Sequence, residues 1–308
     1  MPREKLFVRL NSTKIGMIIE GPGLGYPVMM FVHGGPGMPE YFLATKTMQP
    51  FFARMNVVFW DQRGAGLSYP ADRENTISIS QYVEDAIAVA VYLKKRFAVT
   101  GVYLMAHSWG TYFAIRAAAQ SPEHFLAYIG VAQITDQAES ERRAHAYMLE
   151  YFRAKSDLRA VRILEKNRSE SKSYRKHRDR LMHRAGIGTL RNMRSIFREI
   201  FIESLLCDGY SPAEKLRLWS GKAHLTHHPC LSMQQNIDEA VSSLSIPVCF
   251  LCGEFDFTVN HELCEDYYQR LEAPRKTFHR IAESAHSPVF EKPEEVLRIL
   301  ETEIFFKA

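Results

Sequence analysis

Short apolar runs alternate with helical patterns over the first 130 residues of the chain. Residues 5–20 alternate polar and apolar positions as a hairpin does, and residues 27–32 and 56–60 are apolar runs, each followed by a glycine-rich turn. Apolar positions near helical spacing then predict a helix over residues 80–97. This rhythm is typical of a mainly parallel sheet that is covered by helices on both faces.

The rhythm continues with a strand over residues 102–106, an alanine-rich helix over 109–120 and a strand over 127–131. It stops between residues 135 and 244, where strand-like runs give way to successive charged helical stretches. This segment, residues 135–244, is called the cap segment below.

After the cap segment the alternation resumes. Strands are predicted over residues 247–251 and 276–281, and helices over 261–271 and 293–306. We therefore predict an α/β fold with a doubly wound, mainly parallel sheet in two parts, residues 1–134 and 245–308, with the cap segment inserted as a helical lid between them.

Composition excludes several classes of protein. Hydrophobic residues make up 46% and charged residues 24%, which is ordinary for a globular protein. A net charge of +4 over 308 residues, without a basic recognition module, argues against a nucleic-acid partner.

No apolar run approaches the roughly 20 residues that span a bilayer, and the N-terminus lacks the apolar core of a signal peptide. The five cysteines are an odd number without framework spacing, which fits a reducing compartment. We therefore expect a cytoplasmic protein with no membrane partner. Cys249 and Cys252 form a C-x-x-C, but they lie in or beside an apolar run and are expected to be strand residues.

The strongest chemical signal is the segment Ala106-His107-Ser108-Trp109-Gly110, which we call the elbow. It places Ser108 between a strand and a helix, with small residues two positions to either side, as a tight turn that projects a nucleophilic serine requires. Ala106 stands where glycine is usual, and in isolation such a serine could simply cap an ordinary helix. His107 is expected to have a structural role because its position points it away from Ser108.

A serine hydroxyl needs a base within hydrogen-bond reach and a third group that orients the base. Asp256 follows the strand over residues 247–251, and His286 follows the strand over 276–281, which gives the order Ser, Asp, His. Both should lie at the carboxyl edge of the sheet, where active sites of open α/β sheets gather. We predict Ser108 as nucleophile, His286 as general base and Asp256 as its orienting carboxylate.

The glycine-rich turn His33-Gly34-Gly35-Pro36-Gly37, which we call the oxyanion loop, directly follows the strand over residues 27–32. Glycine there lets a backbone N–H approach the reacting carbonyl. We predict the N–H groups of Gly35 and Trp109 as the oxyanion donors, and Gly34 as a residue that contacts substrate.

Together the oxyanion loop, residues 61–68 (Asp-Gln-Arg-Gly-Ala-Gly-Leu-Ser) and the elbow resemble the prolyl iminopeptidase group of α/β-hydrolases. The resemblance implies an acyl-enzyme mechanism without a cofactor, and it implies that Asp61 and Arg63 pair to hold the loop beside the oxyanion hole.

The cap segment departs from that group. The group's glutamates, which hold the substrate's amino terminus, are expected in a Trp-Glu segment and in an Ile-Glu-Asn-His-Tyr-Phe segment, and neither is present. The candidate substrate-binding residues are instead Glu199, Glu203 and Gln133. Basic residues outnumber acidic ones in residues 133–245, so this segment has a net positive charge, which disfavours binding of an ammonium group.

Three functions stay open at this point. The favoured one is cleavage of a small peptide or amino-acid amide at its N-terminus, and the main alternative is an esterase, lactonase or amidase of a small metabolite. A non-catalytic binding protein would be expected to lose a member of the triad. Haloalkane dehalogenases and epoxide hydrolases need an aspartate where Ser108 stands, which disfavours them.

No metal is expected, because His224, His227 and His228 lack further ligands at convincing spacing. The sequence leaves the oligomeric state undetermined.

Overall fold

The computed structural model describes residues 3–70, 77–169, 171–231 and 236–305. Within these ranges eight strands form one sheet: β1 (Glu4–Leu10), β2 (Thr13–Glu20), β3 (Val28–Val32), β4 (Asn56–Asp61), β5 (Val102–His107), β6 (Phe125–Val131), β7 (Val248–Gly253) and β8 (Lys276–Ile281). Their order across the sheet is β1-β2-β4-β3-β5-β6-β7-β8. Pairing of β2 with β1 and with β4 is antiparallel, and every other pairing is parallel. The predicted α/β class is confirmed.

Every strand predicted from the sequence is present, with ends that differ by two residues at most. For the inner strands the agreement follows from burial on both faces, because β3, β4 and β5 are buried at every position and so read as continuous apolar runs. Cys249 and Cys252 both lie buried in β7, which confirms their interpretation as strand residues.

Helices cover both faces of the sheet. Before the cap segment they are α1 (Tyr41–Thr47), α2 (Gln49–Phe52), α3 (Ile79–Phe97) and α4 (Trp109–Gln120). Two apolar clusters result, one on each face. The first holds Val32, Leu104 and Ala106, and the second holds Phe31 and Met105 from the same two strands, as the alternation of side chains along a strand requires.

The described residues of the cap segment form helices and no strand. They are α5 (Gln137–Ala154), α6 (Leu158–Lys166), α7 (Lys172–Ala185), a π-helix (Phe197–Ile202), α8 (Glu203–Leu206), α9 (Pro212–Thr226) and α10 (Ile237–Ala240). Helices α5, α6 and α7 enclose a small apolar cluster of their own, which includes Met148, Leu164 and Leu181. Phe255 and Phe257, in the loop after β7, pack against this cluster and join it to the sheet.

After β7 come α11 (His261–Arg270), α12 (Pro288–Glu291) and α13 (Pro293–Leu300), and a π-helical stretch (Glu301–Phe305) ends the described chain. The final helix predicted over residues 293–306 is thus α13 plus this stretch, and residue 306 lies outside the described residues. None of the helices in the described ranges is both long and apolar enough to cross a membrane.

Candidate active site

Ser108 lies in the tight turn between β5 and α4, with φ 52° and ψ −127°. A non-glycine residue in this region of φ is strained, and such strain persists where the surrounding packing enforces it. Here a Cβ on Gly110 would lie 2.5 Å from the carbonyl oxygen of His33, so only glycine allows α4 to approach β3 this closely. Ala106 is fully buried between β3 and β6, where the sheet accommodates its methyl group.

The structure brings the three predicted side chains together from separate loops. Nε2 of His286 lies 2.8 Å from Oγ of Ser108, and Nδ1 of His286 lies 3.0 Å and 3.2 Å from the two carboxylate oxygens of Asp256. Asp256 is fully buried and also accepts the backbone N–H groups of Thr258 (2.9 Å) and Val259 (3.0 Å). These bonds fix the carboxylate in a position to accept an N–H from Nδ1 of His286, an arrangement that leaves Nε2 facing the Ser108 hydroxyl.

The loop that carries His286 is held by a carboxylate that no sequence motif singles out. Glu291 of α12 accepts the backbone N–H of Ala285 at 2.8 Å and that of Arg191 in the cap segment at 2.6 Å. The backbone N–H of His286 also donates to the carbonyl of Gly188, at 3.4 Å. The cap segment therefore contacts the histidine loop directly.

The oxyanion loop lies against Ser108. A Cβ on Gly34 would lie 3.0 Å from Cβ of Ser108, and Gly35 has φ +128°, with its missing Cβ 2.6 Å from the backbone nitrogen of Gly37. Neither the Gly35 N–H nor the Trp109 N–H donates to an acceptor within the described ranges. Both predicted oxyanion donors are therefore available to a ligand.

His33 joins the oxyanion loop to the loop over residues 61–68. Its Nε2 accepts the backbone N–H of Gln62 at 3.2 Å, and its carbonyl accepts the Gln62 side-chain amide at 2.6 Å. Complete burial lowers the pKa of His33 to about 4, so the ring is neutral at ordinary pH and can accept that bond.

A buried ion pair beside the predicted triad was not anticipated. Nδ1 of His107 lies 2.7 Å from a carboxylate oxygen of Glu40, and its Nε2 lies 2.9 Å from the carbonyl oxygen of His286. The other carboxylate oxygen of Glu40 accepts the backbone N–H of Gly34 at 3.3 Å. Glu40 and His107 thus form a brace, called the Glu40–His107 brace below, which ties the oxyanion loop and the elbow to the backbone of His286.

Both nitrogens of His107 face acceptors, so the ring fits this environment best as an imidazolium. Burial opposes its charge, but the charge and hydrogen bond of Glu40 outweigh burial and raise the pKa of His107 above its usual 6.5. Burial likewise opposes the charge of Glu40, yet His107 lowers the pKa of Glu40 below its usual 4.5. Glu40, three positions after the oxyanion loop, belongs to no recognisable sequence motif. The brace therefore becomes visible only in the fold.

The predicted pairing of Asp61 with Arg63 is wrong. Arg63 forms a buried, two-pronged ion pair with Asp85 of α3, with both distances 2.7 Å. Asp61 instead accepts the backbone N–H of Leu67 at 2.7 Å and the hydroxyl of Tyr210 at 3.1 Å. The reason is that β4 ends at Asp61 and the chain turns, so the two side chains do not share a face as alternate strand positions would. Burial raises the pKa of Asp61 to about 7.

A cavity of about 270 Å³ opens onto Ser108 and His286. Its walls are mostly apolar, and they come from the segment after β3 and from the cap segment. The apolar residues are Met38, Phe42, Leu43, Met182, Ile196, Ile200 and Trp219. Gly35 and His107 also line it, and its charged lining residues are Glu40, Arg178, Asp179 and Lys222.

Three predicted substrate-binding side chains do not line this cavity, namely those of Gln133, Glu199 and Glu203. Gln133 is buried and bonds the hydroxyl of Tyr128 at 2.6 Å, so it supports the end of β6. Glu199 accepts the N–H of Ser195 at 3.0 Å near the start of the π-helix, and Glu203 pairs with Lys46. These three side chains are committed to other contacts, which sequence spacing could not show.

Comparison with known proteins agrees with this fold. Residues 27–293 match the α/β hydrolase fold family. The chain is 28% identical over 295 residues to the probable aminopeptidase YbaC of Bacillus subtilis (strain 168), covering 92% of this chain and 91% of that protein.

Among solved structures, the proline iminopeptidase-related protein TTHA1809 from Thermus thermophilus matches with a TM-score of 0.64 and 20% identity over 99% of both chains. A thermophilic esterase from Thermogutta terrifontis matches with a TM-score of 0.60 and 18% identity over 97% of both chains. The names of these similar proteins, a probable aminopeptidase and a proline iminopeptidase-related protein, confirm the resemblance to the prolyl iminopeptidase group. The likeness to the solved structures, at 20% identity or less, shows the shared fold.

Proposed function

Since the chain belongs to the α/β hydrolase fold family, we propose that it is a serine hydrolase with Ser108 as nucleophile, His286 as general base and Asp256 as the orienting carboxylate. The observation that carries this proposal is the unbroken hydrogen-bonded chain of these three side chains, with 2.8 Å between Nε2 of His286 and Oγ of Ser108. A hydroxyl at this distance from a neutral imidazole can lose its proton as it attacks a carbonyl.

In the proposed reaction, Oγ of Ser108 forms a bond to the substrate carbonyl carbon while Nε2 of His286 takes the hydroxyl proton. The N–H groups of Gly35 and Trp109 stabilise the oxyanion, and the positive end of α4 adds to their effect. When the tetrahedral intermediate collapses, His286 gives the proton to the leaving amine or alcohol. Water then attacks the acyl-enzyme by the same route and regenerates Ser108.

The substrate that we propose is a small amide or short peptide cleaved at its N-terminus. The aminopeptidase name of the Bacillus subtilis relative supports this choice. A cavity of about 270 Å³ with mostly apolar walls suits a small side chain on the acyl part. No cofactor takes part in this mechanism.

One observation favours a second candidate, an esterase of a small metabolite. An aminopeptidase needs a carboxylate for the substrate's ammonium group, but the two carboxylates in the cavity wall already have cationic partners. Glu40 pairs with His107, and Asp179 lies 2.7 Å from Arg178. An ester without an amino group would need neither of them.

Two measurements test these proposals. A fluorophosphonate probe should add to the folded wild-type protein and not to Ser108→Ala, and a wild-type protein that stays unlabelled would favour a non-catalytic binding protein. Turnover of L-prolyl and L-alanyl 4-nitroanilides should then be compared with that of 4-nitrophenyl acetate and butyrate. Activity on the esters alone would reject the peptidase and retain the hydrolase.

A further inference from the structure

Lys222 differs from the other charged residues of the cavity wall. Glu40 is paired with His107, and Arg178 is paired with Glu141 and Asp179 at 2.7 Å each. By contrast, no carboxylate within the described ranges lies at ion-pair distance from the Lys222 ammonium, whose only hydrogen bond there is a long one, 3.4 Å, to the carbonyl of Pro36.

The packing of α9 holds Lys222 at the edge of the oxyanion loop. A Cβ on Gly221 would lie 2.6 Å from the carbonyl oxygen of Gly64, so the helix backbone rests directly on the loop over residues 61–68. One turn later, Leu225 contacts the positions of Gly37 and Gly64. Lys222 therefore reaches the cavity from a helix whose backbone rests on the loop over residues 61–68 and whose Leu225 side chain contacts the oxyanion loop.

Lys222 is partly buried, and an ammonium group that is even partly withdrawn from water without an anionic partner is unfavourable. Burial lowers the pKa of Lys222, although the negative charges of Asp179 and Glu40 act against this. Such an arrangement becomes favourable when a bound ligand supplies the missing anion. The excess of basic residues in residues 133–245 also favours binding of an anion, because the electrostatic field of this segment attracts anions.

We propose that Lys222 binds a carboxylate group of the substrate, so that the enzyme prefers small amides or esters that carry a free carboxylate. This inference rests on the proposed hydrolase function. For a peptide substrate the group is the C-terminal carboxylate of a very short peptide, and for an ester it is the free acid of a half-ester. The reacting carbonyl would lie at Ser108 while the carboxylate is held beside Pro36.

Matched substrate pairs test the proposal. L-alanyl-L-alanine and its C-terminal amide differ only in the carboxylate, and mono-4-nitrophenyl glutarate and 4-nitrophenyl butyrate form the corresponding ester pair. We expect wild-type kcat/KM to be higher for the charged member, and Lys222→Met to lower it for that member by about ten- to a hundredfold, the range expected for one charge-assisted hydrogen bond. The neutral member should change by less than about threefold.

Two further variants serve as references. Lys222→Arg should retain most of the preference, because the charge stays at the same place. Lys215→Met removes a lysine two turns earlier on α9 and should leave the preference unchanged. Equal losses for charged and neutral substrates in Lys222→Met would overturn the proposal, since they would show that Lys222 only supports the oxyanion loop through Pro36.

Binding provides a readout that does not depend on turnover. Glutarate should raise the melting temperature of the wild type and of Lys215→Met, and not that of Lys222→Met, whereas glutaramide should have no effect on any of them. Absence of a glutarate effect on the wild type would contradict the carboxylate site. Failure of the fluorophosphonate to label Ser108 would contradict the hydrolase instead, so the two failures are distinguishable.

Discussion

Replacing Glu40 with glutamine should produce a loss of stability that depends on pH in a defined way. The side chain of His107 is 2% exposed and that of Glu40 is 11% exposed, so solvent screens the pair little. In Glu40→Gln the charged acceptor is gone and His107 must lose its proton. The amide can then donate to Nδ1 of His107 and accept the N–H of Gly34, while Nε2–H still donates to the carbonyl of His286. The variant should therefore fold and keep its contacts with a neutral ring.

The expected pH window follows from the two pKa shifts. The pKa of His107 is higher in the folded protein than its unfolded value of 6.5, so its contribution is complete below pH 6.5 and is lost as pH rises through the folded pKa. The pKa of Glu40 is lower in the folded protein than its unfolded value of 4.5, so its contribution is complete above pH 4.5 and is lost as pH falls through the folded pKa. Both contributions are fully present only between pH 4.5 and pH 6.5.

We expect the free energy of unfolding of Glu40→Gln to lie about 1.5–3 kcal/mol below that of the wild type near pH 5.5, the value of one charged hydrogen bond. The difference should fall below about 1 kcal/mol at alkaline pH, where wild-type His107 is also neutral. Urea unfolding followed by tryptophan fluorescence, near pH 5.5 and at alkaline pH, measures the difference in the free energy of unfolding. The matched control is Glu294→Gln, which removes an exposed carboxylate of α13. A difference that stays constant or grows with pH would refute the imidazolium–carboxylate pair.

Three other substitutions have definite expected outcomes. Asp256→Asn should lower kcat by about 10⁴, because the amide favours the wrong histidine tautomer, and near-normal steady-state kinetics would argue against the triad. Gly35→Ala should lower kcat by about 10²–10³, since a methyl group 2.6 Å from the Gly37 nitrogen at φ +128° must displace the oxyanion donor; an unchanged kcat would remove Gly35 from the oxyanion hole. Arg63→Met should cost about 3–5 kcal/mol in chemical denaturation by leaving the Asp85 carboxylate buried and unpaired, and Arg63→Met with Asp85→Leu should recover much of that loss.

The sheet and the candidate triad could be predicted from the sequence because their signals are local. A buried strand such as β5 reads as an apolar run, and Ser108 and Asp256 follow the fully buried strands β5 and β7, whereas His286 lies shortly after the partly exposed strand β8. Parallel strands end at one edge, so three distant loops meet without any knowledge of side-chain packing.

The contacts that surround the candidate triad could not be predicted in the same way. Glu40 and His107 are 67 positions apart, and Arg63 and Asp85 are 22 apart, with no motif that joins either pair. The resemblance to the prolyl iminopeptidase group implied Asp61 and Arg63 as partners, but the turn at the end of β4 separates them. Similarly, the cavity wall from the cap segment depends on how helices such as α9 lie across the oxyanion loop, and helical periodicity does not encode that orientation.

The most direct test of the account is the site and rate of covalent labelling by a fluorophosphonate, mapped by mass spectrometry of proteolytic peptides. The account predicts one adduct, on Ser108, and a labelling rate at least about a thousandfold lower in His286→Ala than in the wild type, because the serine then has no base. Modification of a different residue, or equally fast labelling of Ser108 without the imidazole, would contradict the claim that these side chains act as one catalytic unit.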